Sequence, residues 1–415
     1  MQAVPGGARH TLEEAFGNAV SAAHPGVALR GHLPEPPAGR LAVIAIGKAA
    51  LLMAEAAAAH YQSLGARPEV LAVAPGMQAA APAGIEVMRG GHPVPNGASV
   101  LAGKRALGIA AGLGRGDLLL ALISGGASAL ATVPAGITLE RFVRLTETLL
   151  RSGADITEMN TLRRKLCALK GGGLALRAAP ADVVGLLVSD VVGDDPAAIG
   201  SGPTVRDPGT PEAALAVLEK YAPGFDDMRS VLRGLPPAPW ADNARHTVIA
   251  GGSASLTAAA GIVAGAGFRP EVISDRVTGD SGAAARQHAL LLPESAGRLA
   301  LLSGGETTVT IPEGMTPGMG GRNSHYALTL ALSLWGREGI ACLAADTDGI
   351  DGHGDAAGAL VTAGLFSASS RDEAAAALAA FDSHTYFAKH GHQLVTGPTG
   401  TNVNDLRIIL TGVEQ

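Results

Sequence analysis

Three short stretches of this sequence join a strand-like apolar run to two glycines with hydroxyl side chains close by. They read LISGGAS from Leu122, VIAGGSAS from Val248 and LLSGGET from Leu301. Glycines at a strand end let backbone N–H groups approach an oxyanion, and a following helix adds its positive N-terminal end. One such loop can simply turn the chain, but three copies favour anion binding. The candidate groups are Ser124, Gly125, Gly126 and Ser128 in the first copy and Ser303, Gly304 and Gly305 in the third.

Two cationic side chains stand where helices are predicted to begin. Lys48 follows the apolar run LAVIAI and a glycine, and Arg322 with Asn323 follows a glycine pair ahead of a helical pattern. A cation there opposes the helix dipole, which favours a functional role, although chance placement is an alternative for Arg322. An ammonium suits a bound phosphate, and a guanidinium suits bidentate contact with a carboxylate or phosphate. The loop around Lys48 is not a Walker A loop, because Ala42 replaces the first glycine and no Ser or Thr follows the lysine.

Two further stretches place charged groups at predicted element boundaries. KGGGLA sets Lys170 against Gly171 and Gly172 at the start of a helix, and SDVVGDDPAAIGSGPT sets Asp190 after a fully apolar strand. A carboxylate at the end of a buried strand is a candidate for contacting Mg²⁺ or for accepting a proton from a hydroxyl group. We therefore expect Asp190 to be functional.

The segment AADTDGIDGHGDAAG concentrates carboxylates, with Asp346, Asp348, Asp351 and Asp355 in ten residues. It fails the EF-hand pattern, since no glutamate closes the loop. Its glycine spacing is not that of a dinucleotide fingerprint. A magnesium-phosphate site would reconcile the acids with the glycines, and a solvated polar loop is the alternative.

A second polar loop, GPTGTNVNDL from Gly397, precedes what is predicted to be the last strand, LRIIL. Asn402 and Asn404 supply compact polar groups, and the glycines permit close backbone approach. Asparagines in such a loop also form Asx turns that only hold the chain together. The sequence therefore predicts either a ligand-binding loop or a structural turn.

The elements that must position these residues are strands and helices in alternation. Short apolar runs ending in glycine are each followed by an alanine-rich helical stretch, which is typical of βαβ units in an α/β fold. With 415 residues, 47% of them hydrophobic, the chain is long enough for more than one core. A proline-rich connector, RGLPPAPWADNARH, predicts a boundary near 235 and hence domains 1–235 and 236–415. The N-terminal helix, TLEEAFGNAVSAA, could pack on either one.

Charge and cysteine content exclude several function classes. The formal net charge is -6, so the chain lacks the basic surface expected for nucleic acid or acidic membranes. Cys167 and Cys342 are far apart and show no metal-ligand spacing. The N-terminus also lacks the pattern of a signal peptide. We expect a cytoplasmic protein with small-molecule ligands, and a homodimer is one assembly that the sequence leaves open.

Taken in order, these motifs resemble one family. SGGASAL, KGGGLA, SDVVGDDPAAIGSGPT, LLSGGETTVT, GGRN, TDGIDG and GPTGTNVNDL are similar to the motifs of glycerate 2-kinases, whose C-terminal module is called MOFRL and whose members often carry the label hydroxypyruvate reductase. The resemblance runs from about residue 41 to the C-terminus. It implies two α/β domains with largely parallel sheets: a Rossmann-like N-terminal domain and a smaller MOFRL-type domain, with the active site in a cleft between them.

The resemblance also implies a reaction, the ATP- and Mg²⁺-dependent phosphorylation of D-glycerate at its 2-hydroxyl group to give 2-phosphoglycerate. Similar proteins use a lysine and an arginine at the positions of Lys48 and Arg322. Phosphoryl transfer depends mainly on positioning and charge stabilisation. We therefore expect Arg322 and Lys48 to neutralise the substrate carboxylate and the transferring phosphoryl oxygens, and Asp190 to orient or deprotonate the hydroxyl group. Glu306 and Asp348 are expected to bind magnesium directly or through water.

Some positions depart from the family pattern, and other functions stay open. Ser324 and His325 follow GGRN where Gln and Glu are usual, which puts any acidic role there in doubt. A nicotinamide-dependent hydroxypyruvate reductase is the main alternative, but the sequence lacks G-x-G-x-x-G after a strand. A kinase of another small hydroxy acid is a second alternative. A sugar-acid sensor without catalysis is a third, and it would not need Lys48 and Arg322.

Overall fold

The computed structural model describes residues 7–76, 81–235, 240–293 and 297–414. The chain forms two compact units, of which one is Pro25–Ile249 and the other combines Met1–His24 with Ala250–Gln415. No helix in the described ranges is long and apolar enough to cross a membrane.

The first unit is built on a six-stranded sheet. Its strands are β1 (Leu41–Ile46), β2 (Glu69–Ala74), β3 (Glu86–Arg89), β4 (Leu118–Ile123), β5 (Asp182–Val188) and β6 (Ala244–Ala250). They lie in the order β3-β2-β1-β4-β5-β6, and the pairings from β3 to β5 are parallel. This strand order is that of a doubly wound Rossmann-like sheet, as the sequence predicted. Strands β1 and β4 are buried along their whole length, because helices cover both faces of a parallel sheet.

Helices occupy most connections of this first sheet. They are α2 (Pro25–Ala28), α3 (Ala50–Ser63), α4 (Gly97–Ala111), α5 (Ala127–Leu130), α6 (Leu139–Arg151), α7 (Ile156–Lys165), α8 (Gly173–Ala178), α9 (Pro211–Tyr221) and α10 (Asp226–Arg233). The strand order reverses between β1 and β4, because β2 and β3 lie on one side and β5 and β6 on the other. At such a switch point the loops after two neighbouring strands diverge and leave a crevice in which ligands bind.

The second unit has a six-stranded sheet of a different kind. Its strands are β7 (Arg269–Asp280), β8 (Leu299–Thr308), β9 (Ile340–Asp346), β10 (Gly358–Val361), β11 (Gln393–Leu394) and β12 (Asp405–Thr411), in the order β11-β10-β9-β12-β8-β7. Its helices are α1 (Ala8–Ala23), α11 (Gly252–Gly265), α12 (Ser281–Leu290), α13 (Arg322–Ser333), α14 (Ala363–Ala368), α15 (Arg371–Ala379) and α16 (Ser383–Lys389).

The parallel arrangement expected of both sheets holds in the first and not in the second. Strand β12 is antiparallel to both β8 and β9, and β10 is antiparallel to β9 and β11; β7 and β8 are parallel. The connections between the strands explain this difference. Two successive strands can pair in parallel only if a crossover connection of a dozen or more residues, usually a helix, joins them. The segments 347–357 and 395–404 contain no helix, so the strands that follow them run back in the opposite direction.

The boundary expected near 235 does not coincide with the division between the two units, which falls between Ile249 and Ala250. The predicted boundary placed the run HTVIA in the second domain, but this run lies within β6 at the edge of the first sheet, beside β5. The proline-rich connector therefore precedes the last strand of the first unit.

Helix α1 belongs to the second unit, a choice that the sequence left open. Its apolar face, with Leu12, Phe16 and Ala19, packs against Leu256 and Val263 in one hydrophobic core. The Ser255 hydroxyl also donates a hydrogen bond to the Ala19 carbonyl oxygen at 3.0 Å. The N-terminal helix thus covers one face of the second sheet.

Candidate active site

The loops after β1 and β4 meet at the switch point of the first sheet. The Lys48 N–H donates to the Gly125 carbonyl oxygen at 2.8 Å, and the Ala49 N–H donates to the Ser124 hydroxyl at 3.1 Å. Gly47 has φ +137°, and a Cβ atom there would lie 2.1 Å from Ser124 Oγ, so only glycine fits between the two loops. The exposed Lys48 side chain is therefore carried on a loop that is held firmly to its neighbour.

Asp190, His92 and Lys48 surround the glycine pair of the SGGAS loop. A Cβ atom on Gly125 would lie 2.1 Å from Asp190 Oδ2. One on Gly126 would lie 2.9 Å from the His92 ring and 3.5 Å from Lys48 Cγ. The glycines thus make room for these three side chains, which come from the loops that follow β1, β3 and β5.

These three side chains also perturb one another electrostatically. Burial raises the pKa of Asp190 above its ordinary value, while Lys48, and His92 to a smaller extent when it is protonated, oppose the shift. Partial burial and the Lys48 charge lower the pKa of His92, and Asp190 opposes that shift. A carboxylate with a raised pKa beside a cation is typical of a catalytic base.

His92 was missed by the sequence analysis, although its position gives a signal. It follows β3 within GHPVPN, and the carboxyl ends of parallel strands lie at one edge of the sheet. A histidine at that edge is a candidate ligand-binding residue because of its position alone.

The hydroxyl groups of the SGGAS loop have partners in the protein. Ser124 is buried and accepts the Ala49 N–H, whereas the Ser128 hydroxyl lies 2.9 Å from that of Ser201. Ser124 thus holds the loop that carries Lys48 in place, whereas Ser128 lines a cavity that Asp190 also lines.

Lys170, Gly171 and Gly172 do not form an open anion loop. The buried Lys170 ammonium donates to Thr132 Oγ1 at 3.2 Å and lies 3.5 Å from Cys167 Sγ. The Gly171 and Gly172 N–H groups donate to the carbonyl oxygens of Ser201 and Gly202. These donors are already hydrogen-bonded to groups inside the protein, so the prediction of phosphate binding at Lys170 does not fit the structure.

Ser303, Gly304 and Gly305 also differ from expectation, because they lie inside β8 rather than in a loop after it. All three pair with β12 on one side. Gly305 has φ +114°, and a Cβ atom there would lie within 2.4 Å of the Val277 backbone on β7. The glycine pair therefore allows a close, irregular strand pairing, and the N–H groups do not form an anion-binding loop.

In the second unit, Arg322 lies at the centre of a ring of carboxylates. Its guanidinium contacts Asp405 Oδ1 at 2.7 Å, Asp346 Oδ2 at 2.5 Å and Glu306 Oε1 at 3.1 Å. Asp405 is fully buried, and it also accepts hydrogen bonds from Asn323 Nδ2 and from Arg407. Arg322 is thus engaged on all three guanidinium nitrogens, and the fork that the sequence assigned to a ligand carboxylate is occupied by the protein.

The N-terminal end of α13 is likewise occupied. The Asp351 carboxylate accepts the Asn323 N–H at 2.9 Å and the Ser324 N–H at 2.7 Å. This buried acid compensates the helix dipole at the point where Arg322 opposes it. Asp351 comes from the acid-rich loop, so part of that loop serves to cap a helix.

The last polar loop contains the Asx turn that was one of its two predicted forms. Asn402 Oδ1 accepts the Asn404 N–H at 3.0 Å, and Asn404 has φ +69°. The Asn404 carbonyl oxygen accepts the Thr347 hydroxyl at 2.7 Å. The loop therefore positions Asp405 for Arg322, and Asn402 also places its amide 3.4 Å from Asp348 Oδ2.

The proposed magnesium ligands are Glu306 and Asp348. Within the described ranges, no three His, Cys, Asp or Glu side chains converge as a metal site. Mg²⁺ does not require three, since it often takes one or two carboxylates and completes its shell with water and phosphate. Glu306 gives one oxygen to Arg322 and its side chain is 48% exposed, so this carboxylate is accessible to such a cation.

An excess of negative charge supports that fit. Burial raises the pKa of Asp346 despite the opposing charge of Arg322, and the carboxylates of Asp348 and Asp405 raise it further. The guanidinium groups of Arg322 and Arg407 together carry two positive charges, against the four carboxylates of Glu306, Asp346, Asp348 and Asp405. A proton on Asp346 or a bound cation would relieve their repulsion.

A doubly wound sheet with glycine loops at its switch point is typical of α/β enzymes that bind small ligands there. Comparisons with known proteins identify the family. Residues 11–233 match a family described as a domain of unknown function, DUF4147, and residues 299–405 match the MOFRL family.

Relatives and solved structures agree along nearly the whole chain. The chain is 42% identical to a protein of Agrobacterium vitis named "Putative hydroxypyruvate reductase", covering 98% of this chain and 95% of that one. It is 38% identical to the D-glycerate 2-kinase of Thermotoga maritima, over 94% and 95% of the two chains. The crystal structure of a glycerate kinase from Thermotoga maritima superposes with a TM-score of 0.87 at 35% identity, covering 97% of this chain and 98% of that one. The protein belongs to the MOFRL-containing glycerate 2-kinase family and is an enzyme of the kinase class.

Proposed function

We propose that the protein transfers the γ-phosphoryl group of ATP to the 2-hydroxyl group of D-glycerate, giving 2-phosphoglycerate and ADP. The observation that carries this proposal is the placement of Lys48 beside Asp190 at the switch point of the first sheet. A base with a raised pKa next to an exposed ammonium suits the transfer of an anionic group to a hydroxyl oxygen.

Asp190 is proposed to orient the 2-hydroxyl group and to accept its proton as the oxygen attacks the γ-phosphorus. One P–O bond forms to the glycerate oxygen, and the bond between phosphorus and the leaving ADP oxygen breaks. Lys48 would stabilise the negative charge on the phosphoryl oxygens during transfer. His92, with its lowered pKa, is neutral near pH 7, so it could donate a hydrogen bond without adding charge.

The role of Arg322 changes in the light of its partners. Its three carboxylate contacts make it a positioning residue that holds Glu306, Asp346 and Asp405 in place, instead of a free fork for the substrate. Glu306 and Asp348 are proposed as contacts for Mg²⁺, which when bound would neutralise phosphate charge during transfer.

The reductase alternative is weakened by a specific feature of the first unit. Its strand order is one that binds dinucleotides, but the loop after β1 reads IGKAA, without the glycines that let a pyrophosphate approach the backbone. The lysine in that loop suits a kinase instead.

One assay decides between the two activities. We expect ADP release when the protein receives ATP, Mg²⁺ and D-glycerate, with the product identified as 2-phosphoglycerate by ³¹P NMR. EDTA should abolish the activity and excess Mg²⁺ should restore it. Consumption of NADH or NADPH with hydroxypyruvate, without ADP release from glycerate, would refute the proposal, and full activity in excess chelator would refute its metal requirement.

The raised pKa of Asp190 predicts the pH dependence of the reaction. Asp190 must be ionised to accept a proton, so kcat/KM should fall as the pH falls through a value above the ordinary range of aspartate. Asp190→Asn should lower kcat by about 10²- to 10⁴-fold and abolish this acidic limb.

The matched control is Asp182→Asn, at the opposite end of the same strand, where the side chain is exposed. It should keep both the rate and the pH profile of the parent enzyme. An unchanged acidic limb in the Asp190→Asn variant would exclude Asp190 as the base.

A further inference from the structure

A cavity of about 250 Å³ opens beside Asp190 in the first unit. His92, Asp190 and Ser128 line it together with Asn160 and Arg163 from α7, and apolar side chains such as Phe142 complete its wall. A small pocket with an apolar wall and a few convergent polar groups is suited to a small ligand. Asp190, the proposed base, therefore forms part of the cavity wall.

Arg163 differs from the two cations that follow it on α7. Arg164 and Lys165 both form ion pairs with Asp207, each at 2.8 Å. Across the parts of the chain that the structure describes, the Arg163 guanidinium has neither a hydrogen-bond nor an ion-pair partner. A partly buried guanidinium without a partner gives up hydration without compensation, so a ligand anion would stabilise it.

The electrostatic surroundings of Arg163 also favour a bound anion. Burial lowers the pKa of the Arg163 guanidinium, and no carboxylate offsets that shift. The Arg163 charge in turn helps to lower the pKa of the buried Lys170. Lys170 thus lies near Arg163, and its ammonium is 5.8 Å from the centre of the Phe142 ring in the cavity wall.

The other polar groups of the cavity are already committed to the protein. Asn160 Oδ1 accepts the Ser201 hydroxyl at 2.8 Å, and Asn160 Nδ2 lies 3.4 Å from the Ala198 carbonyl oxygen. The Ser128 hydroxyl pairs with the same Ser201. Arg163 is thus the cavity's available cationic donor.

We propose that Arg163 binds the carboxylate of the hydroxy acid substrate and so makes the enzyme specific for acids over neutral polyols. This inference rests on the proposed function and deepens it. A guanidinium fork matches a carboxylate geometrically, and the same cavity is lined by Asp190, which would then face the neighbouring hydroxyl group. Arg163 would thus supply the carboxylate contact that Arg322, whose guanidinium is occupied by protein carboxylates, does not.

The test compares Arg163→Gln and Arg163→Lys with a control, Arg115→Gln, which alters an exposed arginine in the turn before β4. Arg163→Gln should raise KM for D-glycerate by about 10- to 100-fold and leave KM for ATP unchanged. Arg163→Lys should recover part of the loss, because the charge remains and the fork is lost. The control should behave as the parent enzyme.

A neutral analogue separates carboxylate recognition from a general loss of structure. The parent enzyme should strongly prefer glycerate to glyceramide, and Arg163→Gln should lose most of that preference. An unchanged KM for glycerate, an equal loss for glycerate and glyceramide, or a rise in KM for ATP instead would each overturn the proposal. If Arg163→Gln does not fold, the comparison of Arg163→Lys with the parent enzyme applies the same criteria.

Equilibrium binding keeps this inference distinct from the proposed reaction. Calorimetric titration of the full-length protein with D-glycerate, without nucleotide, should show binding that weakens about tenfold or more in Arg163→Gln. Such binding without ADP release would support the carboxylate site and refute the kinase proposal. ADP release with unchanged glycerate binding in the variant would refute the carboxylate site alone.

Discussion

Replacing Lys48 with alanine should lower kcat by about 10²-fold or more while the fold stays intact. The reason is that Lys48 is exposed, whereas the structural contacts of its loop are made by backbone groups. These are the Lys48 N–H on Gly125 and the Ala49 N–H on Ser124, and the substitution leaves both in place. Steady-state kinetics of the purified variant would measure the effect.

Lys104→Ala provides the matched control, because it removes an exposed lysine from α4 in the same unit. Circular dichroism and thermal unfolding of both variants should match those of the parent protein. Turnover close to normal in Lys48→Ala would remove this lysine from the reactive centre and would contradict the proposed stabilisation of phosphoryl charge.

Asp405→Asn should lower the free energy of unfolding by about 3–5 kcal/mol, as expected when one partner of a buried ion pair is removed. Asp405 is fully buried between Arg322 and Arg407, and Arg407 is itself only 1% exposed. Two nitrogens of Arg407, Nε and Nη1, already lack a partner among the described residues. Loss of the carboxylate charge would leave this guanidinium buried without compensation.

Chemical denaturation followed by circular dichroism would measure this loss. Asp355→Asn is the control, because Asp355 lies in the acid-rich loop with a side chain that is 85% exposed. Its substitution should change the unfolding free energy by no more than about 0.5 kcal/mol. Equal stability of the two variants would show that the carboxylate ring around Arg322 does not hold the second unit together.

Much of the fold and part of the site followed from local sequence patterns. The order of the motifs identified the family, and the buried apolar runs identified the strands of the parallel sheet. Lys48 and Asp190 were singled out because each closely follows such a run, and strand ends of a parallel sheet are where ligands bind. The strand assignments were confirmed because they depend on neighbours in the sequence and on a regular fold, whereas the roles of Lys48 and Asp190 stay predictions.

Other assignments failed because similar local patterns acquired different tertiary surroundings. SGGAS and SGGET look alike, but Gly125 lies in a loop after β4, while Gly304 lies within β8 and is paired with β12. Lys170 resembled a phosphate ligand and is instead buried against Thr132 and Cys167. Strand pairing and burial decide whether such a motif is open to a ligand, and a motif of five or six residues specifies neither.

The sequence by itself determined which residues stand at the ends of strands and at the starts of helices, since periodicity and glycine placement are local properties. Only the tertiary structure decided which of their polar groups are free to act. Arg322 is occupied by Asp405, which is 83 positions away in the chain, while Arg163 has no partner among the residues that the structure describes, although both neighbours that follow it on α7 are paired. The physical reason is that a charge loses its availability when the fold brings an opposite charge within a few ångströms of it, and the order of strands in the sheets sets which charges meet.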